Sequence, residues 1–272
     1  MAFVDAGPVR LWTERTGDPG DPAVLLIAGA CAQGCTTPDA MVDRLVARGV
    51  QVIRYDHRDT GLSTVVDFER DPYDLTDLAA DALAVLDAYG LPSAHVVGGS
   101  MGGMIAQWLG AHAPGRIRSL TLLSTTPLAP GLVSPPTARF RRHLDDTAGD
   151  PPGVEKDVAL FRVMNGDVRP FDEPATRAML EHCWARATDP SAAAHHHLMD
   201  YEKVVGTPLP AITVPTVIIH GDQDPIFTLD HAEALAEAIP GARLHVVEGM
   251  GHVYLSPGLP ELLADLIPVP VP

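Results

Sequence analysis

Six short apolar runs, rich in Val, Ile and Leu, constrain this chain more than any other feature. They are Ala23–Ala28 before Gly29, Val50–Tyr55 before Asp56, His95–Val97 before Gly98-Gly99, Ser119–Ser124, Thr216–His220 before Gly221, and Arg243–Val247. Runs that are continuously apolar, rather than alternating, suit strands covered on both faces, as a parallel sheet requires. Helical patterns lie between them. Asp74–Tyr89 sets Leu75, Leu78, Ala82, Val85, Leu86 and Tyr89 at three- and four-residue spacing and stops at Gly90, with Pro92 beyond. Met104–His112 and His231–Ala238 follow other strands. The alternation predicts an α/β fold with a mostly parallel, doubly wound sheet.

One segment breaks the rhythm. Pro127–Pro210 contains no buried-strand run but four helix-like stretches, Thr137–Ala148, Val154–Asn165, Pro174–Ala187 and Ser191–Val205. An all-helical cap inserted between two late strands would lie over the carboxyl ends of the strands, where such sheets bind ligands. The expected division is 1–126 as the first part of the core, 127–210 as the cap and 211–272 as the second part of the core. Within the cap, Phe140, Phe161, Met164, Met179, Trp184 and Tyr201 are candidates for substrate contact or for the lid's own core. The closing PVPVP (Pro268–Pro272) is expected to fray.

Composition excludes several classes of function. The 272 residues carry 19 Lys+Arg against 35 Asp+Glu, a formal charge of −16. That charge repels phosphate backbones and anionic lipid. The densest basic stretch, Arg139, Arg141, Arg142 and His143, runs into Asp145 and Asp146. Nucleic acid and membrane surfaces are therefore not expected partners. The opening residues show no basic and apolar leader pattern, and no apolar run reaches the ~18 residues of a membrane span. Cys31, Cys35 and Cys183 are too few for a disulfide framework, and no second ligand pair suggests a metal. Their expected role is that of small buried hydrophobes. The expectation is a soluble, reduced, cytoplasmic protein, with nothing in the sequence to fix its oligomeric state.

The chemistry concentrates at Gly98-Gly99-Ser100-Met101-Gly102-Gly103, which follows the strand AHVV and opens the helix MIAQWLGAHA. A serine in G-x-S-x-G between strand and helix occupies a tight turn that pushes its Oγ out of the sheet edge. The next N–H, on Met101, then lies at a helix N-terminus beside it, as an oxyanion donor does. Neither a dinucleotide-binding G-x-G-x-x-G nor a phosphate-loop G-K-[ST] fits these residues.

A serine nucleophile needs a base, and the base a carboxylate, in the chain order Ser, Asp/Glu, His. Of 12 histidines, His252 in Gly249-Met250-Gly251-His252 stands in a glycine-flanked loop just past the last strand. His220 reads as core, and His195, His196 and His197 as solvent-facing on a cap helix. Asp222 and Asp224 both follow the strand PTVIIHG. Asp224, fixed by Pro225, is the favoured partner, and Asp222 could instead make a turn. The second oxyanion donor should come from the loop after the first core strand, Ala28-Gly29-Ala30-Cys31, where the Ala30 N–H is the best placed.

These residues resemble the α/β-hydrolase superfamily and, more narrowly, the actinomycete aclacinomycin methylesterase group. The resemblance is carried by VIRYDHRDTGLST (Val52–Thr64), LAADALAVLDAYG (Leu78–Gly90), AHVVGGSMGG (Ala94–Gly103), TVPTVII (Thr213–Ile219) with the following Asp224-Pro225-Ile226, and GMGH (Gly249–His252). It implies an esterase that cuts a carboxylic ester on a polycyclic or macrocyclic polyketide. Ser100 would be the nucleophile, Asp224 and His252 its partners, and Ala30 and Met101 the oxyanion donors, with no metal or organic cofactor. The partner would be a small-molecule ester or lactone. A lactone-opening macrolide esterase is the main alternative. Carbon–carbon hydrolysis, acyl transfer, perhydrolysis and an inactive binding protein stand further off. The helical insertion, where substrate shape is read, shows no such similarity.

Overall fold

A computed structural model describes residues 1–129 and 134–269; the last three residues of the PVPVP tail lie outside the described residues. In chain order the elements begin with β1 (Ala2–Ala6), β2 (Val9–Thr16), β3 (Ala23–Ile27), α1 (Asp39–Val46), β4 (Gln51–Tyr55) and α2 (Leu75–Ala88). They continue with β5 (Ala94–Gly99), α3 (Met101–His112), β6 (Ile117–Leu123), α4 (Ala138–Thr147), α5 (Val154–Met164) and α6 (Glu173–Arg186). The chain closes with β7 (Thr216–Gly221), α7 (Leu229–Ala238), β8 (Arg243–Val247) and α8 (Leu259–Leu266).

The strands form one sheet in the order β1-β2-β4-β3-β5-β6-β7-β8. From β4 to β8 every pairing is parallel, so all six apolar runs lie in the parallel part. The first two strands pair antiparallel at one edge. The run pattern does not reach them because they are only partly covered, with alternating burial in β1 and exposed residues within β2.

Period-two alternation sorts each run onto two faces. Leu25, Ile27, Ile53, Val96, Leu120 and Ile218 face a layer built with α2, α3 and α7. Val24, Leu26, Val52, Val97, Leu123 and Ile219 face the residues of α1 and α8. A reciprocal capping box fixes the start of α2: the Asp74 carboxylate accepts the Thr76 N–H, and the Asp77 carboxylate accepts the Asp74 N–H.

Between β6 and β7 the described residues hold α4, α5, α6 and short 3₁₀ turns, and no strand. Ser191–Val205 departs from its expected helix: only Ala192–His197 winds, as a 3₁₀ turn. The reason is tertiary. Its histidines bond the loops of the sheet layer rather than the next turn of their own segment, and His196 is completely buried, not solvent-facing. His195 is likewise drawn inward, its Nδ1 3.0 Å from the buried Asp59 carboxylate, whereas His197 is exposed.

The helical segment is tied to the sheet layer elsewhere too. Arg186 pairs with the buried Asp56 at 2.9 Å, and the Gln33 side chain donates to the Cys183 carbonyl at 2.8 Å. Cys183 is buried as expected, while Cys31 and Cys35 are half-buried; all three are free thiols. Among the described residues no helix is long and apolar enough to cross a membrane.

Candidate active site

The turn between β5 and α3 carries Ser100 at φ 53°, ψ −119°, a conformation a serine adopts only under constraint. Close packing imposes it. A Cβ on Gly98 would meet the Gly102 carbonyl at 2.2 Å, and one on Gly102 would meet the Ile27 carbonyl at 2.1 Å. Only glycines let α3 start this near β3 and β5. Ser100 is then pinned at both backbone ends. Its N–H donates to the Leu123 carbonyl at 2.9 Å, and its carbonyl accepts the Thr125 hydroxyl at 2.7 Å.

Two stretches of backbone approach the serine. The Met101 N–H is the first of α3, and a helix gives its first N–H groups no internal partner. The loop Ala28–Cys31 approaches from β3, so closely that a Cβ on Gly29 would lie 3.2 Å from the Ser100 Cβ. That contact brings the Gly29–Ala30 peptide beside Ser100.

Asp224 and His252 come from the loops after β7 and β8. The His252 Nδ1–H donates to Asp224 Oδ2 at 2.7 Å. The other carboxylate oxygen accepts the Ile226 and Phe227 N–H groups at 2.9 and 3.0 Å. Burial opposes ionisation of Asp224, but the neighbouring His252 and His220 and the Phe227 N–H outweigh it and hold the carboxyl below the usual carboxylate range. Asp222 faces elsewhere: it is exposed, and its carboxylate accepts the Gly249 N–H at 2.7 Å. His220 is core, as expected. Burial lowers its pKa, its Nε2–H donates to the Phe227 carbonyl at 2.7 Å, and Asp224 Oδ2 lies 3.7 Å away.

The structure thus brings Asp224 and His252 into contact at the sheet edge that carries Ser100. Ser100 Oγ makes no hydrogen bond to His252 among the described residues. Such bonds commonly tighten only when substrate arrives. His252 is nearly buried, with the Phe227 ring edge-on at 5.5 Å.

Several residues that support this arrangement carry no signal in their own stretch of sequence. The His252 N–H donates to the Met164 carbonyl at 2.7 Å, so the end of α5 holds the histidine loop. Asn165 continues that contact, its side-chain carbonyl accepting the Ser256 hydroxyl at 3.1 Å. Tyr254 lies against the serine turn, where a Cβ on Gly99 would meet its hydroxyl at 2.9 Å. Of the candidate contact residues in the helical segment, Phe140 and Met164 are buried, and Phe161, Met179, Trp184 and Tyr201 are half-buried. Among the described residues no group of three or more His, Cys, Asp or Glu is arranged to hold a metal ion.

Comparison with known proteins adds to this geometry. The family model described as the alpha/beta hydrolase family matches residues 24–266. Rhodomycin D methylesterase DauP of Streptomyces sp. (strain C5) is 40% identical over 270 residues, covering 90% of this chain and 89% of that one. Rhodomycin D methylesterase DnrP of Streptomyces peucetius is 39% identical over 271 residues, with the same coverage of 90% and 89%. A solved hydrolase from Pseudomonas aeruginosa PA01 superposes with a TM-score of 0.73 at 27% identity, covering 97% of this chain and 95% of the other.

Proposed function

Because this chain belongs to the α/β-hydrolase family, we propose that it is a serine carboxylic ester hydrolase acting on a methyl ester of a bulky polyketide-type small molecule. The observation that carries the chemistry is the 2.7 Å bond from His252 to Asp224 at the edge where Ser100 stands on its strained turn. The substrate class is supported by the likeness to two rhodomycin D methylesterases.

In this reading His252 takes the Ser100 proton on Nε2 as Oγ attacks the ester carbonyl. The Ala30 and Met101 N–H groups hold the oxyanion, a contribution worth about 10²–10³ in rate per donor in sites of this kind. Collapse of the tetrahedral intermediate passes the proton from His252 to the departing methanol. A water, deprotonated by the same ring, then attacks the acyl-enzyme and releases the acid, which restores Ser100. Asp224 keeps Nδ1 protonated, so that Nε2 is free to act as the base.

Residues 127–210 act as the cap, between core parts 1–126 and 211–272, and the inner surface of the cap selects the substrate. A chain of charge −16 working on a small-molecule ester in the cytoplasm needs neither a nucleic-acid nor a membrane partner.

The test is mass spectrometry of products from rhodomycin D, 14- and 16-membered macrolides and a short p-nitrophenyl ester, with Ser100→Ala as control. Loss of methanol from rhodomycin D, absent in the control, supports the proposal. Gain of one water by a macrolide with no fragment lost would make the enzyme a lactone-opening esterase instead. No reaction beyond that of Ser100→Ala would refute the catalytic reading.

A further inference from the structure

The peptide assigned to the oxyanion is held from three sides. The Ala30 N–H belongs to the Gly29–Ala30 peptide, whose carbonyl accepts the Ala32 N–H at 3.2 Å and closes a β-turn. The preceding peptide is held by His57, a wholly buried ring that donates Nε2–H to the Ala28 carbonyl at 3.1 Å. The following peptide is held by His196, whose Nδ1 accepts the Cys31 N–H at 2.9 Å.

The last contact matters because Cys31 stands at φ 62°, in the left-handed region where glycine is the favoured residue. A non-glycine turn of this kind persists only where its surroundings over-determine it. Those surroundings come from the Ala192–His197 turn. Besides the His196 contact, the Ala193 carbonyl accepts the Cys31 thiol at 3.1 Å, and His197 Nε2 lies 3.2 Å from the same sulfur. His196 is itself locked. Its Nε2–H donates to the Arg58 carbonyl at 3.1 Å, and its ring meets the His57 ring edge-on at 5.8 Å. One bond requires an acceptor at Nδ1 and the other a donor at Nε2, so only the neutral Nε2–H ring serves both. Burial, followed by the neighbouring His57, holds the pKa down to about 3, which preserves that form.

We propose that His196 is a positioning residue for ester hydrolysis: docked against the sheet layer, it fixes the Ala30–Cys31 peptide and thereby aims the Ala30 N–H at the oxyanion. The inference rests on the esterase reading of Ser100. It makes a segment 165 residues away in sequence part of the oxyanion site, so that displacing the Ala192–His197 turn leaves Ser100 in place and the oxyanion poorly held.

The experiment is steady-state hydrolysis of a p-nitrophenyl ester by wild type, His196→Phe and His196→Gln, each with a thermal melt and with Ser100→Ala as blank. Phe fills the site but accepts no hydrogen bond. Because the oxyanion exists only beyond the ground state, kcat should fall about 10- to 100-fold, with KM within about twofold of wild type. The Gln amide carries both an acceptor and a donor, and should recover most of kcat. If Phe prevents folding, His196→Met carries the same test with a more adaptable apolar side chain.

A folded apolar variant with kcat within about twofold of wild type would overturn the proposal. So would a raised KM at unchanged kcat, which would make His196 a wall of the pocket. A Gln variant that melts like wild type yet stays as slow as Phe would overturn it too. A wild type as inert as Ser100→Ala would instead sink the esterase reading and this inference with it.

Discussion

Replacing Asp224 by Asn tests the acid–histidine contact with little change of shape. In the native site one carboxylate oxygen accepts the Ile226 and Phe227 N–H groups, and the other accepts His252 Nδ1–H at 2.7 Å. An amide must keep its oxygen on the two backbone donors, so its NH2 turns toward His252. Nδ1 must then be the acceptor, and the ring proton moves to Nε2, the atom that should take the Ser100 proton. Loss of the correct tautomer lowers kcat about 10⁴-fold in sites of this design. At about 1.36 kcal/mol per decade, that is roughly 5 kcal/mol of transition-state stabilisation. The assay is p-nitrophenyl ester hydrolysis beside a thermal melt, with Asp222→Asn as the paired control. Asp222→Asn should stay within about tenfold of wild type, since that carboxylate serves only the Gly249 N–H. An Asp224→Asn enzyme within tenfold of wild type, or an Asp222→Asn enzyme equally crippled, would refute the assignment.

Further predictions concern stability. Arg58 and Asp81 form a buried pair with two 2.8 Å bonds, so Asp81→Asn strands a buried guanidinium and should lose about 3–5 kcal/mol in denaturant titration; a loss below 1 kcal/mol would contradict this. The wholly buried Tyr55 hydroxyl has no hydrogen-bond partner among the described residues, so Tyr55→Phe should leave stability unchanged or raise it by up to about 1–2 kcal/mol, and a loss above about 1 kcal/mol would contradict this. Burial holds His57 down to about 4, against an ordinary value near 6.5 in the unfolded chain. Below that ordinary value the unfolded chain binds a proton that the native state refuses, so stability falls as pH drops from about 6.5 toward 4, at up to about 1.4 kcal/mol per pH unit. Melts from pH 7 to 5 should show a shallower slope in a folded His57→Gln variant, and an unchanged slope would count against it.

How much of this was legible in the sequence follows from how local each signal is. The inner parallel strands were visible because burial on both faces leaves one mark, a nearly continuous apolar run, whereas the edge strand β8 exposes Arg243 and Val246 and is marked only by its Leu and Val residues. The antiparallel edge pair β1 and β2 was not, since half-covered strands mix polar and apolar residues. The serine turn was legible for a steric reason: the approaches at Gly98 and Gly102 admit no side chain, and the glycines record it. Asp224 and His252 each lie just past a strand, where the α/β topology gathers its loops.

The supports of the site left no such mark. His196 stood in a run of three histidines that looked like a solvated helix face, and its two partners lie 165 and 138 residues away. Met164 acts through its carbonyl, which any residue could supply. The aromatic and methionine residues of the helical segment were visible as a set, but what each one faces depends on tertiary packing, which helical spacing does not encode.

Labelling with a fluorophosphonate followed by peptide mapping asks whether Ser100 is the activated nucleophile. A single adduct on Ser100 is expected, absent from Ser100→Ala and formed at least about a hundredfold more slowly in His252→Gln. An adduct on another residue, or no adduct from a preparation that still hydrolyses esters, would contradict it.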